Sequence, residues 1–237
     1  MRKHTFVLLC ALPALLRAQT PAETLEKYRK QWPDQAALFL HYNTVVELSL
    51  TRNGVEGKRS VEQERLALKP PAGQSSGDEV GYSSLVPLEK IEAWIMVPKD
   101  DSYKKVRVED ITHRDERSDN VFHDDSKVAS FTYHGMTTGA ITHLEYTLGF
   151  PDARMIAGHY FASGYPVEES SLTVITDKGV EVEARAFHMP EGALEHQVTT
   201  EHGKTVQRWT MKNLAGSAFE DNAPSYAYHI PHIQLIV

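Results

Sequence analysis

Apolar and polar residues alternate most cleanly between positions 140 and 150, where Leu144, Tyr146, Leu148 and Phe150 fall on one side and His143, Glu145 and Thr147 on the other. A period of two is that of a strand with one buried face. Val46, Leu48 and Leu50 alternate with Glu47 and Ser49 in the same way, and Asn53-Gly54 supplies a turn that tolerates positive φ. Further strands are predicted at 60–68, 90–97, 104–111 and 127–133; in the first of these the Val61, Gln63, Arg65 row reads as the solvated side. Segments 171–176 and 180–187 flank Asp177-Lys178-Gly179, and 193–200 and 205–211 flank Glu201-His202-Gly203, so each pair is predicted to be a hairpin. Residues 69–82, rich in proline, glycine and serine, are predicted to be an exposed loop.

The pattern changes period only near the start. Thr20 followed by Glu23 is a capping box with Pro21 at the first helical position, and Ala22, Leu25, Tyr28 and Trp32 recur at intervals of three and four before Pro33. A short helix with one packed face is predicted there. About a dozen strands with no helices between them predict an all-β fold, a large antiparallel β-sandwich of two packed sheets with a short N-terminal helix. A parallel sheet would call for crossover helices, and none is predicted. No internal repeat divides the chain, so residues 19–237 read as a single domain.

Ahead of the helix, Arg2, Lys3 and His4 precede an apolar run from Thr5 to Leu16 and then Ala18, the layout of a secretory signal peptide over residues 1–18. The expected location is periplasmic or extracellular. The run is shorter than the roughly 18 to 20 residues of a membrane span, and no later stretch is long enough. Cys10 lies inside the signal, so cleavage would leave a chain without thiols, disulfides or cysteine ligands.

The sequence holds 25 basic and 32 acidic residues; losing Arg2, Lys3 and Arg17 with the signal takes the net charge from −7 to −10. Long-range repulsion then opposes nucleic acid and anionic lipid as partners.

Trp32-Pro33-Asp34 ahead of the strand through Val46, the acidic turn Asn120-Val121-Phe122-His123-Asp124-Asp125, and Gly139-Ala140-Ile141 leading into Leu144-Glu145-Tyr146 follow one another in a particular order. Phe161 to Pro166, then Trp209 to Asn213 with Glu220-Asp221 and Pro224, continue it. From about Tyr28 onward the chain resembles an exported bacterial domain of unknown function found N-terminal to transglutaminase-like domains. The resemblance implies a large β-sandwich with no chemistry of its own. Reactive groups would belong to a downstream papain-like fold carrying Cys, His and Asp, and no residue of that constellation falls within this sequence. A non-catalytic module that packs against or positions a transglutaminase-like domain, downstream or in a partner chain, is the expectation; the alternative is a stand-alone glycan- or peptide-binding module.

Chemistry-bearing residues fit that expectation without requiring a catalytic, cofactor or metal site. Twelve histidines raise the question of metal, and His123, Asp124 and Asp125 with His113 are the densest grouping, yet aspartates at such a turn serve to bond backbone amides. Pro231 keeps His229 and His232 off a common helical face, and in an extended segment they point to opposite sides. Glu195-His196 and Glu201-His202 read as solvated pairs flanking a hairpin. Gly216-Ser217-Ala218 lacks the frame of a nucleophile elbow. Trp94 sits in an apolar run and reads as buried. Trp209 and Tyr82, Tyr103, Tyr133, Tyr160, Tyr165, Tyr226 and Tyr228 are the aromatic material for a glycan or peptide platform, with Tyr226 and Tyr228 best placed to face a partner.

Overall fold

Fifteen residues of continuous strand, β1 (Ala37–Thr51), form the spine of the molecule. The computed structural model describes residues 19–70, 76–116, 125–217, 225 and 228–237. β1 turns back through Arg52-Asn53 into β2 (Gly54–Ala67). Strands β3 (Gly77–Tyr82), β4 (Leu88–Lys99), β5 (Ser102–Arg107), β6 (Thr112–Asp115), β7 (Lys127–Thr132) and β8 (Ile141–Phe150) follow. A 3₁₀ turn (Ala153–Met155) leads to β9 (His159–Tyr160), β10 (Val167–Thr176), β11 (Glu183–Phe187), β12 (Glu195–Glu201), β13 (Lys204–Leu214) and β14 (His232–Ile236).

Eight strands form one sheet in the order β12-β13-β10-β1-β2-β8-β4-β5, and two three-stranded sheets, β11-β14-β9 and β3-β7-β6, account for the other strands among the described residues. The all-β sandwich expected from the alternation is what forms. Its covering layer is split, each small sheet closing a core of its own over one part of the large sheet. Val46, Leu48, Leu172, Val174, Trp209 and Met211 pack under Ile233 and Leu235 of β14; Ala93, Ile95 and Leu144 pack under Val80, Ala129 and Phe131. A third cluster joins Tyr28 of helix α1 (Pro21–Gln31) to Leu38, Leu40, Leu66 and Leu68. The Thr20/Glu23 capping box is formed, and Arg29 donates two hydrogen bonds to the Leu68 carbonyl oxygen, fixing the helix to the end of β2.

Several expectations are overturned. β1 and β10 pair parallel, Phe39 opposite Val167 through to Leu48 opposite Thr176. Parallel pairing needs a long connection rather than a helix as such, and everything from β2 to β9 supplies it. β10 and β11 are not a hairpin: Asp177-Lys178-Gly179 carries the chain from the large sheet to a covering sheet, and Leu172, Val174 and Val180 line one core. The loop expected at 69–82 contains β3, because Val80 is buried against β7. The Val61, Gln63, Arg65 row turns inward; Val61 is fully buried. Trp94 lies half-exposed on the opposite face from buried Ala93 and Ile95, as a period of two through an apolar run demands.

Candidate functional site

The two covering sheets leave a gap over the middle of the large sheet. Phe39 and Tyr42 of β1 and Gln63 of β2 form its floor, and Tyr160, Ala162 and Ser163 form a wall, an open cleft of about 340 Å³. A bulge at Leu40, where Phe39 pairs Arg65 but His41 pairs Glu64, brings Phe39 and Tyr42 into one row. Their rings are 5.8 Å apart.

Two buried histidines stand behind these aromatics. His159 lies 5.4 Å from the Tyr42 ring, with Nδ1 3.0 Å from Thr44 Oγ1 and Nε2 3.1 Å from Ser170 Oγ. Ser170 Oγ spends its proton on the Tyr42 carbonyl oxygen, so Nε2 of His159 donates and Nδ1 accepts. A serine–histidine contact invites a catalytic reading, but His159, Ser170 and Thr44 are 1%, 0% and 1% exposed, and no substrate reaches them. Burial pulls the His159 imidazole down to about 3, with Arg59 adding to the effect, and the ring stays neutral. His232 stands behind Tyr160 in the same way: its ring stacks between Tyr160 at 5.0 Å and Phe187 at 4.9 Å, and its Nδ1 donates to the Ile230 carbonyl oxygen.

At the side of the gap, Arg65 reaches Asp78 of β3, whose carboxylate also accepts from the Tyr133 hydroxyl at 3.0 Å. Burial pushes the Asp78 carboxyl up, against the opposing pull of Arg65 and Tyr133. Burial likewise raises the phenol of Tyr146 to about 12, with Tyr42 contributing.

The residues singled out in the sequence are scattered. His113 shares a hydrogen bond with the Tyr82 hydroxyl at 3.0 Å on β6. Asp125 accepts from the Ser84 amide at 2.9 Å. His123, Asp124 and Tyr226 lie outside the described residues. Among the described residues no three His, Cys, Asp or Glu side chains are placed to hold a metal ion. His229 is exposed and His232 buried. Glu195, Glu201 and His202 are exposed on the edge hairpin, while His196 lies flat on Trp209, 4.6 Å away. Tyr133 is core and Tyr228 is 72% exposed; Tyr160 lines the gap, and Tyr165 meets the Phe39 ring edge-on. Phe39 and Tyr42 carry no alternation signal because the bulge breaks the period in the first half of β1, while Gln63 belongs to the β2 row expected to be solvated. The aromatic pair flanking His41 was the available signal.

Residues 42–217 match DUF3857, a domain of unknown function with a solved structure. The chain belongs to the DUF3857 family. No curated protein matches it. Among solved structures, the DUF3857 chain is similar to a candidate protease from Parabacteroides distasonis, with 15% identity and a TM-score of 0.69 over 84% of this chain and 40% of that one. It is also similar to an M1 zinc metallopeptidase from Deinococcus radiodurans, with 12% identity and a TM-score of 0.41 over 85% of this chain and 42% of that one. The first likeness supports the fold, and the second is too loose to bear on it. The DUF3857 chain thus spans less than half the length of either protein.

Proposed function

We propose that this chain is a non-catalytic, exported β-sandwich module that packs against and positions a transglutaminase-like domain, lying downstream in the same polypeptide or in a partner. The observation that carries the reading is the DUF3857 match together with a fold shared with only 40% of a longer chain described as a candidate protease. In that arrangement the reacting groups belong to the other part of the protein. The sealed state of the His159–Ser170 contact supports it, since this serine–histidine pair with hydrogen-bond geometry serves packing. Domains joined this way bury interfaces of about 600 to 1,500 Å² and keep some relative motion.

Reading the coding DNA beyond the Val237 codon tests the proposal. A linker followed in frame by a domain with Cys, His and Asp, or a neighbouring gene encoding one, is the expected result. A stop codon with no such neighbour overturns it.

A further inference from the structure

The gap between the covering sheets has the chemistry of a ligand site independent of any neighbouring domain. We propose that it binds a neutral pyranose sugar, the C–H face of the ring resting on Tyr42 and Tyr160 and adjacent hydroxyls engaging the carboxamide of Gln63.

Size is the first reason. A space of about 340 Å³ admits one six-membered ring with its substituents, at the small end of ligand pockets. Rigidity is the second. Tyr42 packs against Phe39 and the His159 ring, which Thr44 and Ser170 fix from both nitrogens and Phe161 meets edge-on at 4.6 Å. Tyr160 is held against His232, which is stacked in turn on Phe187. Two aromatic walls that cannot rotate away cost a ligand little ordering entropy.

Hydrogen-bonding chemistry selects the class. The Gln63 side chain has no hydrogen-bond partner among the described residues, and its carboxamide presents a donor beside an acceptor. Vicinal hydroxyls, each able to donate and accept, match that pair; a wholly apolar ligand would leave the carboxamide stripped of water and unpaired. The neighbouring Arg65 is already neutralised by Asp78, so it makes no demand for an anionic ligand. An extended peptide would want a strand edge for main-chain bonding, and on the Tyr160 side of the gap the edge strand, β9, is two residues long.

The test titrates the full chain with methyl α-glucoside, methyl α-galactoside and N-acetylglucosamine, reading ring resonances of Tyr42 and Tyr160 and the side-chain amide of Gln63 by NMR. Saturable shifts with at least one sugar are expected, weakened roughly tenfold or more in both Tyr160→Ala and Gln63→Leu, with thermal unfolding confirming that each variant is folded. Gln63→Glu, which keeps the shape and the acceptors, should retain part of the binding if Tyr160→Ala proves unstable. No saturable shift with any of the three sugars, binding untouched by either Gln63 variant, or displacement of the sugar by a proline-rich peptide at the same resonances would each overturn the assignment. None of these outcomes bears on the positioning role, which the coding sequence decides.

Discussion

Arg65 and Asp78 meet across the interior, Nη2 of one 3.2 Å from a carboxylate oxygen of the other, each side chain only 14% exposed. The pair ties β3 of a covering sheet to β2 of the large sheet, and the Tyr133 hydroxyl closes the network from β7. Breaking one half of such a pair strands the other charge in a poorly solvated place. Asp78→Asn or Arg65→Met alone is expected to cost about 3 kcal/mol, and the double variant less than the sum of the two. Urea unfolding of the four proteins in a double-mutant cycle measures the coupling; additive losses would show that the two side chains do not depend on one another.

His159 gives the molecule an acid-side instability. Its imidazole titrates near 6.5 when unfolded and at about 3 in the fold, because burial disfavours the charged ring. Between those values the unfolded chain holds a proton that the folded chain refuses. Stability is therefore full above about pH 6.5 and falls as pH drops through that window, by up to about 1.4 kcal/mol per pH unit. Comparing His159→Gln with the parent from pH 7 to pH 4 isolates this contribution from that of the carboxylates: the variant starts less stable and shows the shallower slope. Parallel slopes would mean the ring charges within the fold.

Two glycines separate packing from backbone strain. A methyl group on Gly57 would run into the Phe150 ring and Leu48, both in the core beneath β14. Gly57→Ala is expected to cost about 1 to 3 kcal/mol by overpacking. Gly203, at φ +80° in the β12–β13 turn, has open space around it, so Gly203→Ala is expected to cost only about 1 kcal/mol, through backbone conformation alone. Pairing Gly57→Ala with Phe150→Leu should recover part of the first loss and none of the second, as read by thermal unfolding.

Period-two alternation made β8 legible as a strand, although His143 on its polar side is buried as well as Leu144 on the other, and the Glu201-His202-Gly203 turn made the β12–β13 hairpin legible, although β12 is exposed along its whole length. The capping box made α1 legible for a similarly local reason. Pairing partners were not local. Leu172 and Ala184 pack in one core but belong to different sheets, and alternation reports which face is buried without reporting which strand lies alongside. The gap was illegible for a further reason: Phe39, Tyr42 and Tyr160 come from distant segments, and the bulge at Leu40 erased the alternation that would have placed two of them on a common face.

β14 lies at the centre of its sheet, paired with β11 on one side and β9 on the other. Ile230 and Ile233 are completely buried, and Ile233 shares the core with Val46, Leu172 and Phe161. Removing residues 230–237 would take away the strand that joins β9 to β11 and uncover that core, so the shortened chain is expected to lose cooperative unfolding. Ile233→Ala is the milder test, with an expected cost of about 2 to 5 kcal/mol from lost burial and the cavity left behind. The urea midpoint should fall while the slope of the transition is kept, the mark of a folded chain that has lost stability. The His232 side chain also positions Tyr160, so the same truncation should abolish sugar-dependent shifts, whereas Ile233→Ala, at conditions where it is folded, should keep them. A truncated chain that unfolds with the parent's midpoint and slope would show that β14 is dispensable to the sandwich.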